Sequence, residues 1–356
     1  MEAHTNRSGA KPFIDPNWID FVLEHVDPML SVSRTRARIT AIVYETADIR
    51  TFVLRPNRHF RGFAPGQYVP VRVTLGGVVH ERCYSLTGPP GAPTLSITVK
   101  RVEGGVVSTW LHDHARPGDV VELGDADGSF TLPDPLPAKL LFIAGGSGVT
   151  PVCSLIRAAL HSNPRAEIAL LYFARSASDF AFGDLFEGLA SVHPGFQYIA
   201  IAEVAGPNTP IVGRFDAEQL RRFVPDYADR EAFLCGPPGL MRAVRELFDT
   251  EGRRDRLRSE SFGPAPHAAS ELTDAPVTFR RSQRTVVNNR ANLLETAEAA
   301  GLKPANGCRI GICKTCVCTK VSGVVRDRVT GALDHEANSR IRICVSEPVG
   351  PVTLEL

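Results

Sequence analysis

Five of the eight cysteines in this chain are confined to the segment between Cys308 and Cys344. A disulfide framework spreads its cysteines along a small fold, so this clustering points to metal ligation. The spacing is specific: four residues separate Cys308 from Cys313, two separate Cys313 from Cys316, and Cys344 follows 28 positions later. Four thiolates spaced C-x4-C-x2-C…C can hold a two-iron cluster, whereas a structural zinc more often takes its thiolates from two CxxC knuckles. Gly307 and Gly311 suit a loop that must turn its N–H groups toward the cluster sulfurs. Cys318, two residues past Cys316 in an alternating segment, reads as a buried small hydrophobe and not as a fifth ligand.

A chain of 356 residues, 43% of them apolar, has room for two or three domains. Its 40 Lys and Arg balance 39 Asp and Glu, leaving a formal charge of +1. Such a chain has no long-range field to draw it to nucleic acid or anionic lipid. The longest apolar runs, LLFIA and IALLYFA, are too short to span a bilayer, and the first dozen residues lack an apolar export core. A cytosolic, reducing location is the expectation.

Along the chain the periodicity changes three times. Residues 1–36 are an arm in which Trp18, Phe21, Val22, Leu23 and Val26 fall on one side of a short helix. Such a stripe most often packs on the neighbouring domain; a partner or a membrane surface is the alternative. Residues 37–137 show six period-2 stretches, ending in a proline-rich linker, and one short helix near VVSTWLHDH, which predicts an antiparallel β-barrel. Residues 138–262 alternate strand and helix patterns, which predicts an α/β domain with a parallel sheet covered on both faces. A linker over 263–275 leads to a last α+β module, 276–356, with two short strands, a helix, the cysteine loop and two further strands.

Three constellations accompany the cysteines. Arg82-Cys83-Tyr84-Ser85 ends a barrel strand, where an Arg can pair with phosphate, an aromatic two residues on can stack on a flat heterocycle, and a hydroxyl can reach a ring nitrogen. Gly104-Gly105-Val106-Val107-Ser108 opens a helix whose free N–H groups suit phosphate. Ala144-Gly145-Gly146-Ser147-Gly148-Val149-Thr150-Pro151 follows a buried strand, with Thr150 expected as the helix N-cap and Pro151 as its first residue. Its companion, Cys235-Gly236-Pro237-Pro238, lies at the end of a later strand, where open parallel sheets bind ligands. Taken singly, each has a bland reading: a turn, a helix cap, or an inert strand-end cysteine.

In their order, RCYS, GGVVS, AGGSGVTP, CGPPG and the cysteine loop resemble the ferredoxin-NADP reductase superfamily with a plant-type ferredoxin domain of β-grasp type fused at the C-terminus. The resemblance is nearest to reductase components that serve oxygenases and fatty-acid desaturases, such as the phenylacetyl-CoA epoxidase and stearoyl-CoA desaturase reductases. It implies FAD, in preference to FMN, with Arg82 on a flavin phosphate, Tyr84 stacked on the isoalloxazine, Ser85 beside its reactive nitrogen, and Gly105 and Ser108 at the pyrophosphate. It assigns Gly145, Gly146, Gly148 and Thr150 to the nicotinamide nucleotide, and Cys235 and Gly236 to the place where hydride leaves. Glu260 and Phe262 resemble a segment that lies near the flavin. Cys308, Cys313, Cys316 and Cys344 become the ligands of a 2Fe-2S cluster, with Lys314 where many such ferredoxins carry a small residue.

The expected activity is an NAD(P)H-dependent reductase that passes electrons singly to a terminal oxygenase or desaturase, acting as a monomer. It would not be integral to a membrane, although its acceptor could be membrane-bound, and the acceptor would see the cluster edge from Arg309 to Thr315. Arg175 and Ser176, after the second parallel strand, stand where a 2′-phosphate would be read and tilt the choice toward NADPH over NADH. Two other readings stay open: a flavin or quinone reductase with structural zinc, and a non-catalytic electron-transfer subunit.

Overall fold

The computed structural model describes residues 16–89, 91–207, 211–262, 274–289, 291–309, 311 and 314–356. After an N-terminal helix, α1 (Pro16–Val26), the alternating stretches become β1 (Thr35–Tyr44), β2 (Ile49–Pro56), β3 (Tyr68–Leu75), β4 (Val78–Ser85), β5 (Leu95–Lys100) and β6 (Val120–Leu123). They pair antiparallel in the order β4-β3-β6-β1-β2-β5, and a bridge between Leu86 and Ile97 closes the sheet on itself. Closure removes the exposed sheet edges that would otherwise invite pairing with other chains. The inward-facing residues, among them Ile39, Phe52, Val71 and Ile97, form one core, joined by Val107 and Leu111 of α2 (Val106–Asp113).

The second module is a parallel sheet of β7 (Lys139–Gly145), β8 (Glu167–Ala174), β9 (Phe196–Ala202), β10 (Glu231–Cys235) and β11 (Leu257–Glu260), in the order β11-β10-β7-β8-β9. Burial on both faces explains the continuous apolar runs. Leu140, Phe142 and Ala144 of β7 join a core with α3 (Val149–Ser162) and α4 (Gly183–Val192), while Leu141 and Ile143 join another with α5 (Ala217–Phe223) and α6 (Pro238–Thr250). The chain runs from β7 to β8 on one side and returns to β10 on the other. The strand order therefore reverses between β7 and β10, and in open α/β sheets ligands bind at that reversal. Ile49 and Phe130 of the barrel belong to the same apolar cluster as α3, which packs the two modules together.

In the third module β12 (Pro276–Phe279) and β13 (Arg284–Val287) precede α7 (Leu293–Ala299). The cysteine loop then leads to β14 (Val317–Ser322), β15 (Val325–Asp327), β16 (Leu333–Asp334), β17 (Ser339–Arg342), β18 (Ser346–Pro348) and β19 (Val352–Leu354). The main sheet runs β13-β12-β19-β14-β17, with β12 and β19 parallel, and β16-β15-β18 form a small second sheet. Asn292 and Glu295 make a reciprocal cap at the start of α7, and Leu293, Leu294 and Ala297 pack on Val277, Phe279 and Ile341. Cys318 is buried in that core, as expected of a small hydrophobe. This is the three-module architecture read from the periodicity. The strands β15–β18 and the helix α5 were not legible there, because none is long enough to establish a period.

The arm departs from its expected packing. Trp18, Phe21, Val22 and Val26 are all exposed, and it is the acidic side of α1 that docks. Glu24 forms a two-pronged pair with the buried Arg36 (2.9 and 3.1 Å), and Asp27 pairs with Arg38 (2.9 Å). Asp20, itself buried, accepts bonds from Ser31 and Ser33 and from the Val32 N–H at 2.6 Å. A buried guanidinium left without a partner costs far more than an apolar stripe left in water, so the ion pairs decide which face turns inward.

Candidate functional site

A cavity of about 390 Å³ opens where the three modules meet. Barrel residues Arg82, Cys83, Tyr84 and Ser85 line one wall; Gly104, Gly105 and Ser108 form its end; Ser147, Thr150, Glu260 and Phe262 enter from the nucleotide module; and Cys308 enters from the third. Residues from five separate segments thus face one space of the size that binds small molecules. A second hollow of about 870 Å³ shares Glu103–Val106 with it and continues past Asp48, Arg101 and Trp110, leaving room for the second half of a dinucleotide.

The barrel wall is suited to a flavin. Ser85 is 3% exposed, and its Oγ has no hydrogen-bond partner among the described residues. An orphaned buried hydroxyl costs free energy unless a ligand completes it. Burial pushes the Tyr84 phenol well above its ordinary value, so its ring is neutral. Arg82 donates to the carbonyl of Glu81 (2.7 Å) and, across the module boundary, to that of Gly307 (2.9 Å). Gly105 caps the start of α2, and Ser108 Oγ accepts from the Val102 N–H at 3.3 Å, bracing the turn. Sequence reasoning missed Tyr68, which lies opposite Ser85 in the β3–β4 register and also lines the cavity. No local signal marks it, because the pairing depends on register.

The two glycine-containing turns meet at the reversal between β7 and β10. A Cβ on Gly148 would stand 2.2 Å from the carbonyl oxygen of Cys235, so only glycine permits this approach. A Cβ on Gly236 would stand 3.0 Å from the Gly145 nitrogen and one on Gly145 would meet Pro237 at 2.6 Å, and Gly146 takes a left-handed conformation at φ +51°. Thr150 is not the N-cap expected from the sequence: the helix begins two residues earlier than expected, at Val149 with Gly148 as its cap, and Thr150 Oγ1 donates to the Ser147 carbonyl at 3.0 Å. A single 3-10 turn over Gly146–Gly148 carries the chain into the helix, which moves Thr150 inside it.

Cys235 is fully buried and is not among the residues lining the cavity. Burial, together with Glu260 opposite it in the β10–β11 register, pushes its thiol well above the usual range, so it is a neutral thiol and not a thiolate. Glu260 does line the cavity. Desolvation pushes its carboxyl up to about 8, and its Oε2 has no partner among the described residues. A carboxyl that is protonated near neutral pH can donate a hydrogen bond in an apolar cleft. Ser176 is committed locally: its N–H and Oγ both donate to Asp179 (3.0 and 2.8 Å). Arg175 is exposed and makes no ion pair among the described residues.

Of the four expected metal ligands, Cys313 lies outside the described residues. Cys308, Cys316 and Cys344 are all buried, and Cys316 Sγ lies 3.0 Å from Cys344 Sγ. Hydrogen bonding and charge repulsion from Cys316, with burial, push the Cys344 thiol far up. Two buried sulfurs this close are a donor set that a thiophilic cation neutralises, and a di-iron cluster takes its thiolates in such pairs. The loop does not face outward over its whole length. Lys314 pairs with Asp127 of the barrel (3.5 Å) and Thr315 donates to Glu81 (3.1 Å), so the end of the expected acceptor-facing edge is turned to β4.

Comparison with known proteins agrees with this geometry. Residues 36–131 match an oxidoreductase FAD-binding domain, 142–246 an oxidoreductase NAD-binding domain, and 277–349 a 2Fe-2S iron-sulfur cluster binding domain. The chain is 34% identical over 359 residues to an NADPH oxidoreductase of Mycobacterium tuberculosis (strain ATCC 25618 / H37Rv), covering 99% of this chain and 92% of that protein. It is 32% identical over 351 residues to the glycine betaine monooxygenase reductase subunit of Pseudomonas aeruginosa (strain UCBPP-PA14), covering 90% and 95%. The fold is also that of phthalate dioxygenase reductase, at TM-score 0.62 and 24% identity over 90% of this chain and 97% of that one.

Proposed function

The chain belongs to the oxidoreductases that join FAD-binding and NAD-binding domains to a C-terminal 2Fe-2S domain, and from that premise we propose how its residues divide the work and what accepts its electrons. FAD, a 2Fe-2S cluster and NAD(P)H are its cofactors; when bound, they supply two-electron hydride acceptance and one-electron relay, so no side-chain nucleophile is needed. Tyr84 provides an apolar face for the isoalloxazine, and the unpartnered Ser85 hydroxyl meets its polar edge. Arg82, Gly105 and Ser108 hold the phosphates. Gly145, Gly146, Gly148 and Thr150 form the floor on which the nicotinamide nucleotide lies, with its pyrophosphate toward the start of α3. Cys235 and Gly236 shape the pocket from beneath as neutral packing groups. Cys308, Cys313, Cys316 and Cys344 ligate the cluster.

The nicotinamide nucleotide is NADPH, with Arg175 meeting the 2′-phosphate; Ser176 is held by Asp179 and contributes less than the sequence suggests. The acceptor is a terminal oxygenase, the kind of partner named for the Pseudomonas relative. No described helix is long and apolar enough to cross a membrane.

One observation carries this reading: Ser85, Thr150 and Cys308, one from each module, line a single cavity. Its walls therefore bring the flavin, nucleotide and cluster sites into contact with one space. Stopped-flow mixing with NADPH tests it, with flavin bleaching expected first and cluster bleaching second. A chain that holds flavin and iron but bleaches with neither NADPH nor NADH is an electron-transfer subunit instead.

A further inference from the structure

We infer that Glu81 is the positioning residue that sets the cysteine loop against the flavin wall, by holding Thr315 beside the ligand Cys316. This rests on the electron path described under Proposed function. Glu81 is 7% exposed and splits its carboxylate between two modules. Its Oε2 accepts from Arg72 Nε at 2.6 Å, and its Oε1 accepts from Thr315 Oγ1 at 3.1 Å. Glu81 precedes Arg82 on β4, the strand that goes on to present Tyr84 and Ser85 to the cavity. One rigid strand therefore carries both the grip on the cluster loop and the flavin wall.

The carboxylate is held in place from behind. Arg72 lies opposite Glu81 in the β3–β4 register, Glu122 lies opposite Arg72 on β6, and Arg36 lies opposite Glu122 on β1. Arg72 Nη1 donates to Glu122 at 3.0 Å, Arg34 reaches Glu122 at 3.4 Å, and Arg36 is capped by Glu24 of α1. Charges of alternating sign thus cross four strands, roughly 14 Å at the usual strand spacing, and end on the loop. A carboxylate already fixed by a guanidinium offers Thr315 an oriented, charged acceptor, stronger than a neutral one and less costly to order.

Among the described residues, three bonds link the loop to the barrel, and they are unequal. Lys314–Asp127 joins two side chains that are each more than half exposed, so water and salt weaken it. Arg82 holds Gly307, but its guanidinium is also the group proposed for the flavin phosphate. The Glu81–Thr315 bond ends on a carboxylate that is itself buried and has no second duty toward a ligand.

The test uses the full chain carrying flavin and cluster, in T315V, T315S and E81Q forms. In T315V and E81Q, hydrogen exchange of the amides around 307–316 should rise about tenfold, as the loss of a bond to a buried charge raises the opening equilibrium. NADPH should bleach the flavin at the wild-type rate while cluster reduction slows, at an unchanged cluster midpoint potential. T315S, which keeps the hydroxyl, should restore both. Wild-type exchange and wild-type cluster reduction in T315V and E81Q would overturn the inference, as would a shifted potential that accounts for the slower rate by itself. Should NADPH fail to bleach even the wild-type flavin, the functional reading falls, and the exchange measurement still judges the grip.

Discussion

The nucleotide turn and the cysteine loop are both built around glycine, yet they are held in different ways. Gly148 is pressed against the backbone of the neighbouring turn, 2.2 Å from a would-be Cβ to the Cys235 carbonyl oxygen. Two backbones cannot give way, so close packing sets the approach of the two turns, and the Tyr172 hydroxyl braces it by donating to the Gly146 carbonyl at 3.2 Å. Gly311 takes a left-handed φ of +81°, and its would-be Cβ meets the Val345 side chain at 2.8 Å. The loop around it is held by polar bonds from other elements: Arg342 to the Gly311 carbonyl (2.6 Å), Arg82 to Gly307, and Thr315 to Glu81. A site that receives a diffusing nucleotide is preformed by close packing. A site that keeps a covalently ligated cluster needs only enough bonds to aim it.

This contrast can be broken in order of size. C344S removes one of the paired thiols: reduction of any protein acceptor should fall to background and iron content should drop, while NADPH still bleaches the flavin. G148A should do the reverse, leaving iron content intact and slowing flavin reduction by about a hundredfold, since a misplacement of about 1 Å in a positioned site costs that much. Equal loss of both functions in G148A would show that the turn and the loop are not independent. G311A should be milder, destabilising the third module by about 1–3 kcal/mol in thermal unfolding, because the strain of a left-handed alanine and a displaced Val345 side chain can be partly relaxed.

The last effect is one of pH. Burial holds the Glu260 carboxyl at about 8 in the folded protein, against an ordinary value of 4.5. The folded state therefore keeps a proton that the unfolded chain releases. The stability associated with this group is fully present below about 4.5 and is lost as pH rises toward 8. E260Q should flatten that slope, gaining on the wild type in denaturant midpoint at pH 8 and not at pH 4. Parallel pH profiles for the two proteins would show that Glu260 ionises freely.

Much of the site was legible because its signals are local. Gly145 to Thr150, Arg82 to Ser85 and the spacing of Cys308, Cys313 and Cys316 are each a few residues long, and each offers the groups proposed for its ligand close together in the chain. The periodicities that separate barrel from parallel sheet are local too. What failed was also local reasoning: Thr150 has the sequence context of a cap, but the turn before it is wound into the helix, and the stripe of α1 has the periodicity of a packing face, yet stays in water. Ser176 looked free to meet a phosphate until Asp179 took its hydroxyl.

The amino-acid sequence by itself determined three modules, their order, and the ligand chemistry each carries, because hydrophobic period and motif spacing are properties of neighbouring residues. Only the tertiary structure decided that Glu81 and Thr315, 234 positions apart, share a hydrogen bond, that Tyr68 faces Ser85, and that Cys308 opens on the same cavity as Thr150. These depend on strand register and module docking, which emerge only when the distant parts of the chain are packed together.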